Sequence, residues 1–158
     1  MENIRNVRND DFSELAKIYT LAYNSVNIGE NWDDSSALKL LKHLYSEQPD
    51  LFFVAEENGK VVGGITAPIK PWWDGNHLTD GELFVHPNNQ KHGLGKLLIK
   101  KLFTEAKKKY DAVSWDTFTH RVHEHPLKWY KSLGFKEIEK WVMIEGNVDL
   151  VLENLKEN

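Results

Sequence analysis

The sequence predicts an α/β domain with a mixed sheet flanked by helices. Runs of β-branched and aromatic residues alternate with segments whose apolar residues recur at helical spacing. An Asn-Gly pair between two of these runs is typical of a tight hairpin turn, so part of the sheet is expected to be antiparallel. A helical segment separates two later runs, and such a crossover normally joins parallel strands. The predicted order of elements is βααβββαβαββ.

The first three elements are a strand and two helices. Residues 4–7 form the strand, and Asp10 caps the helix that follows it. A second helix begins near Ser35 and ends before Pro49. The first helix buries one apolar face, which consists of Phe12, Leu15, Ala16, Tyr19 and Tyr23.

The next three strands include the predicted hairpin. Residues 51–56 and 61–67 are its two strands, joined through the pair Asn58-Gly59. Residues 70–80 are rich in turn formers and are predicted to form a loop. Residues 81–86 form the following strand.

The second half of the chain begins with a helix and ends with strands. Residues 112–119 alternate as a strand, and residues 126–133 form a short helix that Gly134 ends. Residues 135–146 and 149–155 are predicted to close the chain as an antiparallel pair of strands. The long helix before them carries its apolar residues at helical spacing, at Leu94, Leu97, Leu98, Leu102 and Ala106.

The composition is that of a folded soluble domain, with 41% hydrophobic and 28% charged residues, and 158 residues are most simply one domain, 1–158. A net charge of −4 argues against nucleic-acid binding. No apolar run approaches the roughly 20 residues of a membrane span. The start of the chain lacks a signal-peptide pattern, so a cytoplasmic location is expected. The absence of cysteine excludes disulfides, thiolate metal sites and a cysteine nucleophile.

The segment Gln90–Lys96 joins a predicted strand to a predicted helix through two glycines. Gly93 and Gly95 remove side chains where the backbone turns sharply or approaches a ligand. The first N–H groups of the following helix attract an anion, and Lys91 and His92 add positive charge nearby. The segment is therefore an anion-binding turn or a plain strand-to-helix turn, and it matches neither a P-loop nor GxGxxG.

Two motifs carry a resemblance to a known family. LFVHPNNQKHGLGKLL resembles the acyl-CoA-binding signature of the GNAT superfamily of N-acetyltransferases, which is a strand ending in V-x-P, then [RQ]-x-x-G-x-[GA] and a helix. Gln90, Gly93 and Gly95 occupy the signature positions, and WYKSLGF downstream resembles the family's Y-x-x-x-G-F element. The resemblance implies a GNAT-like, strongly twisted sheet and acetyl-CoA-dependent transfer of an acetyl group to an amine.

The resemblance also implies how acetyl-CoA is bound. Its pyrophosphate rests on backbone N–H groups of the glycine turn. Its pantetheine arm lies between two splayed parallel strands, which contain Phe84 and Trp115, and forms sheet-like hydrogen bonds with the first of them. The implied cofactor-binding residues are Leu83, Phe84, Val85, Gln90, Lys91, His92, Gly93, Leu94, Gly95 and Lys96.

An amine acceptor must lose a proton, because an amine with a pKa of about 10 is almost entirely protonated at pH 7. Glu82 is the candidate base, since many members of the family carry an acidic residue on this strand and its side chain alternates with those of Leu83 and Val85. Asp80 or a chain of waters is the alternative. By resemblance, the Val85 N–H stabilises the oxyanion, and Tyr130 of the Y-x-x-x-G-F element protonates the departing thiolate.

Acidic and aromatic residues recur together in NWDD, PWWD, TDGE and SWD. This combination either attracts a cationic acceptor or consists of core tryptophans and solvated loop carboxylates. The segments HEHPLKWYKSLGF and NWDDSS also resemble stretches of some aminoglycoside N-acetyltransferases. A polyamine, an amino sugar or an aminoglycoside-like amine is therefore the expected small-molecule acceptor. The predicted acceptor-binding residues are Trp32, Asp33, Trp72, Trp73, Asp80 and Trp115.

Other functions remain open in the sequence. The acceptor can be a protein or peptide amine, the acyl group can be longer than acetyl, or the chain can bind acyl-CoA as a regulatory protein without turnover. No metal site is predicted, because the spacing of His120, His123 and His125 differs from HExxH and no cysteine is present. Exposed strand edges make a homodimer plausible.

Overall fold

The computed structural model of the protein describes residues 2–157. The chain divides into two compact units, of which the first ends at Thr119 and the second begins at His120. The first unit contains β1 (Glu2–Asn6), α1 (Phe12–Asn24), α2 (Asp34–Glu47), β2 (Phe52–Glu57), β3 (Lys60–Thr66), β4 (Ile69–Trp72), β5 (Gly75–Thr79), β6 (Glu82–Val85), α3 (Leu94–Tyr110) and β7 (Ser114–Asp116). The second unit contains α4 (Glu124–Ser132) and α5 (Val148–Asn154).

The first sheet is antiparallel, with the strand order β1-β2-β3-β6. Phe52 and Val54 of β2 point to one face of it and pack in the apolar core with α1 and α2. Phe53 lies between them and points to the other face, where its ring centroid is 5.4 Å from Lys101 Nζ of α3. Phe84 of β6 belongs to the core with α1 and α2. The sheet is therefore covered by α1 and α2 on one face and by α3 on the other.

The hairpin between β2 and β3 is confirmed. Asn58 and Gly59 both adopt left-handed backbone conformations, with φ of 52° and 76°. An Asn-Gly pair tolerates two such residues in succession, which is why it favours the tight turn that matches the twist of paired strands. This pairing positions β3, and β3 in turn pairs with β6.

The second sheet corrects one prediction, because the loop predicted over residues 70–80 contains all of β5 and most of β4. β4 and β5 form an antiparallel hairpin, and β7 joins β5 in parallel. Pro71, Asp74 and Gly75 are typical loop residues and obscure the strand pattern in the sequence. Pairing decides the outcome, since β5 gains partners on both edges and Asn76 O accepts the Val113 N–H at 2.8 Å.

The two strands joined through α3, β6 and β7, do not pair with each other. Within residues 2–157, β6 pairs with β3 alone and β7 pairs with β5 alone. The helical crossover predicts parallel pairing between β6 and β7, but the parallel partner of β7 in the described chain is β5. Gly81 precedes β6 at a crowded point, where a Cβ would lie 2.6 Å from Ala67 Cβ and 2.9 Å from Trp115 Cζ2. The other edge of β6 has no strand partner in the described chain.

The second unit contains the short helix that the sequence predicts, now α4, and Gly134 follows it with φ of 98°. The predicted strands 135–146 and 149–155 are wrong. Residues 135–147 are irregular, and α5 begins after Asn147, whose Oδ1 accepts the Leu150 N–H at 3.0 Å. The side-chain cap stabilises a helix start here, whereas a strand would need a neighbouring strand to pair with. No helix of the described chain is long and apolar enough to cross a membrane.

Candidate active site

The turn before α3 has the backbone geometry of an anion site. Residues 87–89 form a single 3-10 turn, and Lys91 and Gly93 adopt left-handed conformations with φ of 68° and 90°. Gly93 is the N-cap of α3, and its carbonyl accepts the N–H groups of Lys96 and Leu97 at 3.0 and 3.2 Å. The helical hydrogen bonds thus begin after Gly95, and the first N–H groups of α3 form its positive end. This arrangement can bind a phosphate group.

The open edge of β6 presents the backbone of Leu83 and Val85. The His86 N–H donates to a β3 carbonyl at 2.8 Å, so His86 and Phe84 direct their backbone polar groups toward β3. The intervening residues direct theirs to the opposite edge, where Val85 O accepts Gln90 Nε2 at 3.0 Å. An extended ligand could therefore hydrogen-bond along this edge and reach the glycine turn.

Glu82 begins β6, and its side chain lies on the face covered by α1. Its carboxylate accepts hydrogen bonds from the phenol groups of Tyr23 and Tyr19. Burial raises the pKa of Glu82 to about 7, the two phenols oppose the rise, and the negative charge of Glu30 adds to it. Such a carboxyl group can accept a proton near neutral pH.

An aromatic cluster surrounds the two phenol donors. Tyr19 is 1% exposed, and its ring stacks on that of Tyr23 with centroids 4.2 Å apart. The rings of Trp32 and Phe84 approach Tyr19 edge-on at 5.0 and 5.2 Å. Burial and the charge of Glu82 raise the pKa of Tyr19 well above its usual range, so this phenol stays protonated.

The loop between α1 and α2 brings Trp32 to this cluster. The Asn24 side chain donates to Trp32 O and accepts the Trp32 N–H, both at 2.9 Å. The indole N–H donates to Glu30 Oε2 at 2.7 Å. Among the predicted acceptor-binding residues, Trp32 is therefore linked to Glu82 through side chains, because its ring contacts Tyr19 and the Tyr19 phenol interacts with Glu82.

Three residues of the cluster escaped the sequence prediction, namely Tyr19, Tyr23 and Glu30. The two tyrosines stand four positions apart on α1 and were assigned to its apolar face. A repeated phenol at that spacing was the available signal, because i and i+4 side chains lie on the same side of a helix. Glu30 gave no local signal, since it lies in an irregular loop.

Asp33 and Asp80 occupy turn positions. Asp33 Oδ1 accepts the Ser36 N–H at 2.7 Å as the N-cap of α2, and the hydrogen bonds from Ser36 lower its pKa. Asp80 is exposed and left-handed, with φ of 44°, immediately before Gly81. Their predicted roles at the acceptor stay predictions.

Trp72 and Trp73 lie at the tip of the β4-β5 hairpin. Lys70 Nζ is 4.7 Å from the ring centroid of Trp72, and Trp73 is 87% exposed. Asn76 Nδ2 donates to Tyr110 O at 2.7 Å, which joins the hairpin to the C-terminal end of α3. The glycine turn lies at the other end of this 17-residue helix, roughly 25 Å away.

Trp115 of β7 is buried, and its ring packs edge-on against Phe103 with centroids 6.0 Å apart. Its close approach to Gly81 brings it to the point where β6 begins. The side chain therefore lies between the start of β6 and α3, and its predicted role at the acceptor stays a prediction.

A second buried titratable group lies in the second sheet. His77 is 7% exposed, and its Nδ1 is 2.6 Å from Asp116 Oδ2 while its Nε2 is 2.8 Å from Asp74 Oδ1. The hydrogen bond with Asp116 is the largest cause that raises the pKa of His77. The two carboxylates connect the hairpin turn and β7 through one imidazole.

Tyr130 belongs to the second unit, on α4. Its ring packs edge-on against those of Trp129 and Phe135, each at 5.0 Å, and the Phe135 N–H donates to Tyr130 O at 3.2 Å. The Y-x-x-x-G-F element is thus a helix end at which Gly134 reverses the chain and brings the two aromatic rings together. The role of Tyr130 as an acid stays a prediction.

The described residues contain no group of three or more His, Asp or Glu side chains arranged to hold a metal ion. His120 and His123 pack edge-on, with ring centroids 5.5 Å apart.

Comparison with known proteins agrees with the fold and the turn. A family model described as an acetyltransferase (GNAT) domain matches residues 48–137, more than half of the chain. An uncharacterized N-acetyltransferase of Methanocaldococcus jannaschii is 30% identical over an alignment of 141 residues, and the match covers 86% of this chain and 61% of the relative. The chain therefore spans less than two thirds of the length of that relative.

Two solved structures have the same fold. A possible acetyltransferase from Clostridium difficile 630 has a TM-score of 0.77 at 21% identity and covers 94% of this chain and 98% of its own. A predicted acetyltransferase from Clostridium acetobutylicum, solved with acetyl-CoA, has a TM-score of 0.71 at 19% identity and covers 92% and 96%. The α/β fold class and the family resemblance are thereby confirmed, and the chain belongs to the GNAT acetyltransferase family.

Proposed function

We propose that the protein transfers an acetyl group from acetyl-CoA to a primary amine, by direct attack of the amine on the thioester. The observation that carries this proposal is the position of Glu82. A partly buried carboxyl group with a pKa raised to about 7 begins the strand whose open edge leads to the glycine turn. The strand β6 and the turn after it thus carry the proposed base, the backbone edge for the cofactor and the proposed anion site.

Acetyl-CoA fits the two backbone features of this region. The N–H groups at the start of α3 suit its pyrophosphate, and the edge of Leu83 and Val85 suits the amide groups of its pantetheine arm. The same edge brings the Val85 N–H to the thioester carbonyl, where it would stabilise the oxyanion. A relative of the same fold has been solved with acetyl-CoA, which supports this choice of cosubstrate.

Glu82 is suited to deprotonate the amine. An ammonium group with a pKa of about 10 loses its proton more readily to a carboxylate whose pKa is near 7 than to one near 4. Burial supplies that rise. The neutral amine then attacks the thioester carbon, the C–S bond breaks, and CoA leaves as a thiolate. The attacking nitrogen releases its second proton to solvent as the amide forms, and the thiolate takes up one proton, for which Tyr130 is the predicted donor.

A small cationic amine is the proposed acceptor. Two carboxylates and two aromatic rings are linked here. Glu30 accepts the Trp32 indole N–H, the Trp32 ring contacts Tyr19, and the Tyr19 phenol interacts with Glu82. Carboxylates and aromatic faces together attract cations. A protein or peptide amine is the alternative acceptor, and binding of acyl-CoA without turnover is the alternative function.

Continuous detection of free CoA thiol tests the proposal. Acetyl-CoA is offered with polyamines, aminoglycosides, amino acids or a lysine-containing peptide, and the protein contributes no thiol because it lacks cysteine. We expect release that depends on the small cationic amines. Release only with the peptide would favour the alternative acceptor, and tight acetyl-CoA binding without release for any amine would favour the non-catalytic function.

A further inference from the structure

We infer that Tyr23 is a positioning residue for Glu82: its phenol holds the carboxylate in one orientation and stabilises its charged form through a hydrogen bond. This inference rests on the proposed function for its catalytic meaning, although the contact itself does not. The Tyr23 O–H donates directly to Glu82 Oε2 across the interface between α1 and β6.

The Tyr23 ring is itself held in place. It stacks on Tyr19, with an angle of 21° between the ring planes and centroids 4.2 Å apart. Tyr19 is buried and touches the rings of Trp32 and Phe84. Because these neighbours belong to three separate elements of the first unit, the phenol of Tyr23 has little freedom to leave the carboxylate.

The groups that face Glu82 act in opposite directions. From α1, the phenols of Tyr23 and Tyr19 donate hydrogen bonds that stabilise the carboxylate, and from the loop after α1 the charge of Glu30 destabilises it. On β3 the opposite position in register is Thr66, which does not titrate. Burial and the charge of Glu30 raise the pKa of Glu82, and the two phenols lower it. Without the Tyr23 hydroxyl, only Tyr19 would still lower this pKa.

The variant Tyr23→Phe removes the hydroxyl and retains the ring. We expect the pKa of the Glu82 carboxyl to rise by roughly one unit, because a hydrogen bond to a charged group stabilises that form by about this much. The acidic limb of the kcat/KM profile should move to higher pH by the same amount, with roughly tenfold lower activity on that limb. Tyr45→Phe is the matched control, since Tyr45 packs with Phe12 in the same core and should change neither quantity.

The pKa is measured independently of catalysis, by NMR of carboxyl-labelled glutamate with Glu82→Gln to assign the signal. An unchanged Glu82 pKa in Tyr23→Phe would overturn the inference. A raised pKa in a variant whose pH profile is unchanged would support the contact with Tyr23 but overturn the role of Glu82 as base. A raised pKa with a shifted profile would support both.

Discussion

Glu82 and His77 are two partly buried titratable groups with opposite surroundings. Glu82 receives hydrogen bonds from two phenols, and burial raises its pKa to about 7. His77 lies between the carboxylates of Asp116 and Asp74, and those partners raise its pKa by stabilising the imidazolium. A buried carboxyl group with a pKa near 7 can change charge near neutral pH, whereas two flanking carboxylates favour the charged form of an imidazole. Glu82 is therefore the proposed group for proton transfer, whereas His77 links the β4-β5 turn to β7 through Asp74 and Asp116.

The largest effect should come from Glu82→Gln, which retains the shape of the side chain and removes the base. We expect kcat/KM to fall by roughly 10²–10⁴-fold, because this is the usual contribution of a positioned general base. The acidic limb of the pH profile should disappear at the same time. Steady-state kinetics between roughly pH 5 and pH 9, a range that includes the pKa of Glu82, would measure both effects. An unaltered pH profile would point to Asp80 or a chain of waters as the base.

The same variant has a stability signature. The pKa of Glu82 is raised from its ordinary value of 4.5 to about 7 in the folded protein, so its contribution to stability is greatest below pH 4.5 and is lost as pH rises through 7. The free energy of unfolding of Glu82→Gln, taken relative to that of the natural chain, should therefore be higher at pH 8 than at pH 4. Denaturant titrations at pH 4 and pH 8 would measure this difference. The same difference at both pH values would contradict a raised pKa of Glu82 in the folded protein.

His77→Gln should lower the free energy of unfolding by about 2 kcal/mol, because it weakens two charge-assisted hydrogen bonds. Because the pKa of His77 is raised from 6.5, its stabilising contribution is complete below 6.5 and is lost as pH rises through the folded value. The variant should lack this loss, and its kcat should remain within about twofold of the natural value. A large fall in kcat with unchanged stability would reverse the comparison.

The smallest effect should come from Asp33→Ala, which removes the cap of α2 and should lower the free energy of unfolding slightly. Asp33→Asn is the matched control, because asparagine also caps helices but carries no charge. Thermal unfolding separates the two variants. A higher KM for the amine in Asp33→Asn would support the predicted role of this carboxylate at the acceptor, and an unchanged KM would limit Asp33 to capping.

The elements with strong local signals were predicted correctly. Asn58-Gly59 determines a hairpin because both residues tolerate positive φ, and Gly93 precedes α3 at the position where a left-handed residue is required. Alternation along β6 separates the Glu82 side chain from those of Leu83 and Val85, and its role as a base stays a prediction. By contrast, Pro71 and Gly75 concealed the strands β4 and β5, and the apolar residues after Gly134 were wrongly read as strands.

Local chemistry thus determined the hairpin at Asn58-Gly59 and the helices α1 to α4, and it made the glycine turn and Glu82 candidates for the anion site and the base. Only the tertiary structure decided that β7 pairs with β5 and that α1 brings Tyr23 and Tyr19 to Glu82. Strand pairing and the pKa of a carboxyl group depend on partners distant in sequence, because a backbone edge or a buried charge is stabilised by whatever group the fold places beside it.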